Sequence, residues 1–598
     1  MKNYIIKTFM VAVAALLSFS CNDSFLDKAP IDKISSDSFW NTENDLIVYN
    51  NGLYNLMRND NDVPIAMGFD DGFDSHRYGI WHVSGFSDDT APRHSRHNNY
   101  QRVRAGAHSV PGGPFWYGWR GWNFIRAINV GMDNYDKADL TDDVKNKYKG
   151  EARLMRGWFY ADKISKFGTV QWVETEVSTA DEEILYGSRD SRDFVMDKVF
   201  EDLTFATQNI PNDWGDGNEP GRMNRWAALL VFSRVALFEG TWRKYHGLGG
   251  ETKWLQAAAD AAKELMDDGP YGIYNNGDVN TTYNEMHRIE DLSGINEVIY
   301  YRRYERGIFT NHAQSYHRGY NGGATKSMVE DYLCTDGLPI SLSPLYMGDE
   351  VYENIFENRD PRLRQTVLHP ADQPIYNYGR HAFADNPYPR VQGMSGGLRV
   401  YTGYHIIKVY NVNSAHASYN SSQTPAISMR FAEALLNYAE AQAELGGGTI
   451  SQADLDISIN LLRERVGMPD LVANPPMDPR YANDGISAVL AEIRRERRIE
   501  LFMEGFRYED LRRWKQGKKL TEKDYGMRWD AANKARVDPD GRVSVGSSMV
   551  DGVEYLEPYK GTDFENPVFD ENKHYLWPVP TSAISQNPNL GQNPGWDE

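Results

Sequence analysis

A mostly α-helical body of antiparallel helix pairs, with loop-rich insertions and a few short strands, is the fold class this sequence predicts. Three observations carry it. Apolar residues recur at helical spacing through several long blocks, strand-like runs are rare, and Gly, Pro, Asp and Asn gather in a few aperiodic stretches. The plainest block runs from Arg494 to Trp514. In it Ile499, Phe502, Met503 and Phe506 fall at i, i+3, i+4 and i+7, and Leu511 and Trp514 extend the set. Seven arginines and five acids fill most of its other positions, with Glu509 and Arg513 one turn apart, which suits a helix laced by ion pairs and held among other helices. A nucleic-acid helix would lack the interleaved acids, and a net charge of -20 over 598 residues argues against a phosphate partner.

Residues 1–20 stand apart from the fold as a leader. Lys2 and Lys7 precede a short apolar run, Phe9 to Leu17, too brief to cross a bilayer, and Ser18, Phe19 and Ser20 lead to Cys21. The site resembles a lipoprotein cleavage point at which Cys21 becomes the lipidated first residue. Leu17 lies one place further upstream than the strict pattern asks, so a plain secretory signal is the alternative. Lipidation would anchor the chain, each buried CH₂ adding about 0.8 kcal/mol. Cys21 and Cys334 are the two cysteines, so no disulfide framework is possible. A hydrophobic content of 41 % is ample for a core, while a mean hydropathy of -0.61 argues against a spanning helix in the mature chain.

A first helix is expected over Thr42–Arg58, with Leu46, Tyr49, Leu53 and Leu56 or Met57 on one face. Asn59 to Pro114 shows no sustained period, and so long a loop is functional or disordered. Helical register resumes from Trp116 to about Tyr135 and returns over Asp142–Phe167, where Tyr148, Ala152, Met155 and Phe159 align. A second pair covers Asp190–Ile210 and Asn224–Trp242, the latter with Trp226, Leu230, Ser233 and Leu237 in register. The alanine-rich block Thr252–Asp268 follows, and a further pair is expected over Ser428–Leu445 and Gln452–Val466. Ala434, Ala439, Ala441 and Ala443 leave room for a close partner helix. Short strands are expected at Glu297–Tyr301 and Gly403–Tyr410. The rest of 338–422 and the stretch 521–573 read as irregular.

The run RRERRIELFMEGFRYEDLRRWK, together with the tail YLWPVPTSAISQNPNLGQNPGW from Tyr575 to Trp596, closely resembles the C-terminal signature of the SusD/RagB family of surface glycan-binding lipoproteins. Ile210–Trp242 resembles the family's loop and repeat helix, SMVEDYLCTDG (Ser327–Gly337) another of its segments, and the polar stretch after Cys21 its tether. The resemblance therefore runs from Cys21 to the C-terminus. It implies a SusD-like α-α superhelix of tetratricopeptide-like repeats, forming a single body over 21–598. The scaffold would occupy about 42–58, 116–268 and 428–516, and the ligand-binding insertions about 59–114 and 301–422. It also implies an outer-membrane, cell-surface location, a lipid anchor at Cys21, and a SusC-like TonB-dependent transporter as partner, to which captured oligosaccharide passes unchanged.

No HExxH, Walker loop, CxxC pair or GxSxG nucleophile elbow is read from the chain. The 84 acidic residues could still contain a glycosidase pair, since such pairs are recognised by their separation in space. Asp213–Glu219, DWGDGNE, is dense in oxygen ligands but lacks the twelve-residue EF-hand arrangement and reads as a turn. No cofactor and no metal are expected.

A charge asymmetry is more informative. From His76 to His108 there are five arginines and five histidines against two acids, Asp88 and Asp89; from Tyr301 to Tyr320 there are four arginines and two histidines against Glu305. Neither stretch contains lysine, and the arginine fork suits bidentate capture of carboxylate or sulfate. Tyr78, Trp81, Tyr100, Trp116, Tyr304, Phe309, Tyr316 and Tyr320 are interleaved with these charges or flank them. An aromatic face can cover the C–H side of a sugar while polar neighbours take its hydroxyls. Taken singly, each such ring is more often core, and the arginines could pair with acids elsewhere. His94 and His97 as metal ligands are disfavoured by the adjacent Arg93 and Arg96.

In the family, ligand contacts come from regions corresponding here to about Phe69–Tyr100 and Tyr301–Tyr320. Trp81, Tyr78, Tyr316 and Tyr320 are accordingly expected to stack sugars, and Arg77, Arg318 and Asp71 to read polar groups. The arginine and histidine bias motivates an anionic ligand, such as a uronic-acid-containing or sulfated polysaccharide, with a neutral glycan as the alternative. A surface glycoside hydrolase and a peptide-binding member of the same family are the alternative functions.

Overall fold

The computed structural model describes residues 39–58, 83–92, 98–114, 118–215, 221–311, 323–372, 387–394, 399–416, 418 and 421–597. The helices used below are α1 (Glu43–Arg58), α2 (Asn98–Arg104), α3 (Trp122–Asn134), α4 (Asp142–Phe167), α5 (Arg192–Asn209), α6 (Arg225–His246) and α7 (Glu251–Asp268). They continue with α8 (Lys326–Asp331), α9 (Phe431–Leu445), α10 (Gln452–Asp456), α11 (Ile459–Arg465), α12 (Ala488–Glu500) and α13 (Arg507–Arg513). Their ends follow local chemistry. Ser191, Asn224 and Ser487 cap α5, α6 and α12 by accepting from the N–H groups of Phe194, Ala227 and Leu490. Gly168 (φ +76°) and Gly247 (φ +74°) reverse the chain after α4 and α6.

Packing passes from neighbour to neighbour: α4 lies on α5, α6 on α7, α7 on α9, and α9 on α12. Only residues 247–250 join α6 to α7, so these two run antiparallel. Gly240 marks the tightest of these contacts, because a Cβ there would sit 3.0 Å from the backbone nitrogen of Leu255 on α7. The main core, with Leu46, Phe124, Met155, Leu203, Leu230 and Leu265, runs along these helices and takes in Trp577 and Val579 of the C-terminal tail. A second core lies around Met328, Tyr332, Leu363, Ile406, Phe502 and Trp529. Between the two halves, strand β1 (Val298–Arg302) pairs antiparallel with β2 (Ala426–Arg430). Among the described residues, no helix is long and apolar enough to cross a membrane.

Most of the expected helices are present, Asp142–Phe167 to the residue. Four expectations need correction. Arg494–Trp514 is two helices, α12 and α13, because Met503 (φ +64°) and Gly505 (φ +87°) turn the chain between them. That turn puts Phe502 and Met503 into the second core, so they share no helical face with Phe506. Gly403–Tyr410 is irregular, with a single bridge from Ile406 to Val367, since Gly403 (φ +83°) and Val409 (φ +59°) break extended geometry. The helix expected from Ser428 begins at Phe431, the preceding residues being strand β2, and Gln452–Val466 splits into α10 and α11. Unforeseen elements are α2, inside the stretch read as loop, and the hairpin of β3 (Gly546–Val550) with β4 (Val553–Glu557). Asp551-Gly552 between those strands was its available signal, since both residues adopt positive φ as a tight hairpin turn demands.

Candidate functional site

The expected ligand-reading residues Asp71, Arg77, Tyr78, Trp81, Tyr316, Arg318 and Tyr320, and the expected lipidation residue Cys21, lie outside the described residues, as do Trp116, His94 and His97. Their chain flanks are described. Val83–Pro92 continues from the first candidate loop and Gly323–Asp331 from the second, and the two flanks lie side by side. Thr90 bridges Ala324; the Ala91 N–H donates to the Gly323 carbonyl at 3.1 Å, and the Thr325 N–H to the Asp89 carbonyl at 2.9 Å. On the other side the Ala324 N–H donates to the Tyr404 carbonyl at 3.0 Å. Gly323 (φ +100°) has no room for a side chain there, because a Cβ would strike the Thr402 hydroxyl and the Tyr404 carbonyl. Two stretches far apart in sequence are thus mounted on one footing.

The footing is fixed by the arginine-rich helices. Arg498 of α12 donates through Nε to Asp89 at 2.8 Å, through Nη1 to Asp331 at 2.5 Å, and through Nη2 to the Ser327 hydroxyl at 3.2 Å and the Asp88 carbonyl at 3.3 Å. Arg507 of α13 holds the Asp88 carboxylate by two bonds of 2.8 Å. Asp331 also accepts from the Tyr481 hydroxyl at 2.6 Å and sits 3.2 Å from Arg480. All these side chains except those of Ser327 and Arg480 are buried. Burial works against the Asp331 carboxylate, but Arg498, Arg480 and Arg495 outweigh it and hold its pKa far below the usual range. Asp88 is held low in the same way: burial opposes, and Arg498 and Arg507 prevail. The isolation of Asp88 and Asp89 in a basic stretch was the one sequence signal for this arrangement. Their counter-charges lie some four hundred residues on, as the separation of Arg498 from Asp89 shows.

Several members of the expected aromatic and basic set are structural. Tyr100 (2 % exposed) and Tyr304 (3 %) are core residues, so neither is a sugar platform. Phe309 is half-buried and stacks on Tyr304 at 5.5 Å, with the Arg302 guanidinium 4.8 Å from its ring centre. Arg104 is buried on Asp524 at 2.8 Å. His108 packs against His574, Trp577 and Trp596; burial first, and His574 next, lower its pKa to about 3, so it carries no charge near neutrality. Arg303 and Arg306 do face solvent, Arg303 reaching Glu305 at 3.4 Å. Asp213 accepts from the Gly215 N–H at 2.6 Å, a local turn bond.

A cavity of about 190 Å³ opens beside Val83, between α4, α6, β2 and the turn joining α12 to α13. Trp158 and Phe506 line it with Arg234, Arg430, Arg497 and Arg513, and each of these arginines already holds a carboxylate. One string, Gly393 to Gly397, does carry the GxSxG spacing. A nucleophile elbow needs a strand turning into a helix, whereas the described flanks offer a single bridge between Val391 and Val400.

The model of the SusD family matches residues 293–596, which include the second mount, α12, α13 and the tail. The chain belongs to the SusD family. A SusD-like protein of Bacteroides ovatus is 24 % identical over 601 residues, covering 98 % of this chain and 97 % of its own. Among solved structures, a SusD-like carbohydrate-binding protein from Bacteroides fragilis superposes with a TM-score of 0.68 at 23 % identity, over 92 % of this chain and 100 % of that one. A laminarin-binding SusD-like protein gives a TM-score of 0.57 at 16 % identity, over 93 % and 100 %. These likenesses establish the SusD-like helical fold.

Proposed function

We propose that this SusD-family protein captures oligosaccharide or polysaccharide at the cell surface and passes it, uncleaved, to a SusC-like TonB-dependent transporter. Cys21 carries the lipid anchor, residues 21–598 act as one body, and the regions Phe69–Tyr100 and Tyr301–Tyr320 carry the contacts. One observation supports this most: the segments that follow Trp81 and Tyr320 in the chain, Val83–Pro92 and Gly323–Asp331, share one footing. Trp81, Tyr78, Tyr316 and Tyr320 stack sugars, and Arg77, Arg318 and Asp71 read their polar groups. The exposed Arg303 and Arg306, on the approach to the second loop, favour an anionic glycan.

The protein lacking residues 1–21 should bind a polysaccharide on a glycan array and leave its chain length unchanged. Trp81→Ala or Tyr316→Ala should weaken that binding about tenfold. Binding to an acidic glycan should fall with added salt. Unchanged affinity in both aromatic variants would remove the loops from the site, and shortened product chains would replace capture by hydrolysis. Retention of peptides in place of sugars would change the ligand class.

A further inference from the structure

The two mounts meet under one side chain. We propose that Arg498 is a positioning residue that fixes the spacing of the two mounts, Val83–Pro92 and Gly323–Asp331. The latch itself stands on geometry; its consequence for affinity rests on the glycan-binding reading above.

Each mount has its own tie to the body, Asp88 through Arg507 and Asp331 through Arg480 and Tyr481. Among the described residues, Arg498 is the guanidinium that spans carboxylates of both, Asp89 on the first mount and Asp331 on the second. Its third edge reaches Ser327 and the Asp88 carbonyl. A planar fork with five donors in fixed directions can satisfy these four partners only when their mutual spacing is right. The other links between the mounts are a single bridge pair with one backbone hydrogen bond on either side and the Thr325 and Ser327 hydroxyls, which donate to the Asp88 carbonyl at 2.6 and 3.4 Å but do not reach the carboxylates. Arg498 therefore works as a gauge: displacement of either mount breaks a charge-assisted bond out of contact with water.

Arg498→Lys keeps the charge but loses the fork. Arg513→Lys is the control, since Arg513 is equally buried and bonds Glu440, Asp510 and Thr241, none of them on a mount. With laminarin and alginate as neutral and acidic probes, R498K should bind about tenfold more weakly than the parent protein, and R513K should change by less than about twofold, although both melt earlier. A rescue separates spacing from general damage. Thr90 and Ala324 form a non-hydrogen-bonded antiparallel pair, the arrangement that brings opposed side chains closest, so Thr90→Cys with Ala324→Cys can join the mounts covalently. Adding that disulfide to R498K should restore affinity.

Parental affinity in R498K, or a disulfide that forms without restoring it, would overturn the proposal while leaving glycan capture intact. If the parent binds neither probe, hydrogen exchange reads the latch directly. The Ala91 and Thr325 amides, bonded across the mounts, should exchange about tenfold faster in R498K than in R513K, and equal rates overturn it.

Discussion

Two regions of this molecule are rich in arginine and use it in opposite ways. In α12, α13 and their flanks, all seven arginines from Arg494 to Arg513 are at most 8 % exposed, and carboxylates are supplied to match. Glu500 alone takes Arg430 and Arg465 at 2.6 Å and Arg362 at 3.0 Å; Glu440 takes two bonds from Arg513 and a third from the Trp514 indole. Around Tyr301 the same residue type lies at the surface, with Arg303 and Arg306 exposed and Glu305 beside them. An arginine count therefore says little by itself. What decides the role is whether the fold brings acids to it, because a buried guanidinium demands a partner and a solvated one does not.

That contrast can be broken or sharpened by experiment. Glu500→Gln should have the largest effect, leaving three buried guanidiniums short of one carboxylate and lowering stability by about 3–5 kcal/mol in urea unfolding. A loss near zero would mean that the network is dispensable. Tyr304→Ala should cost about 3 kcal/mol, as a core aromatic does, with reduced affinity only in proportion to unfolding; a selective loss of glycan binding would restore it as a platform. Acid should discharge the surface carboxylates first and the buried network only at lower pH. Burial opposes the Glu504 carboxylate, but Arg430 and Lys408 bring its pKa down to about 2 from an ordinary 4.5. A depressed carboxylate stabilises fully above its unfolded pKa, so this contribution should hold above about pH 4.5 and fade as the pH falls toward 2. A melting temperature flat over that window would count against the pairing. Arg303→Ala with Arg306→Ala should be the mildest for the fold, within about 0.5 kcal/mol, and should still reduce salt-sensitive binding of an acidic glycan.

Much of the scaffold was legible because helical periodicity is a local property. Tyr148, Ala152, Met155 and Phe159 all prove buried, and Ala434, Ala439, Ala441 and Ala443 are all at 0 % exposure on α9. Periodicity misled at Arg494–Trp514, where apolar spacing continued through a turn that Gly505 makes possible. It also misled at Gly403–Tyr410, where a β-branched run suggested a strand, but positive φ at Gly403 and Val409 leaves a single bridge to Val367. At the candidate site, the two charged stretches could be picked from composition, but Tyr100 and Tyr304 could not be told from surface rings. Burial depends on what the rest of the chain places over a residue.

The sequence by itself determined most of the helical register and the kinship carried by the arginine-rich run and the tail. Only the tertiary structure decided which charges meet. Asp89 and Asp331 lie on different segments, and nothing local to either points to Arg498. Their union follows because packed helices remove all three from water, and there an ionised group must find its opposite or lose its charge.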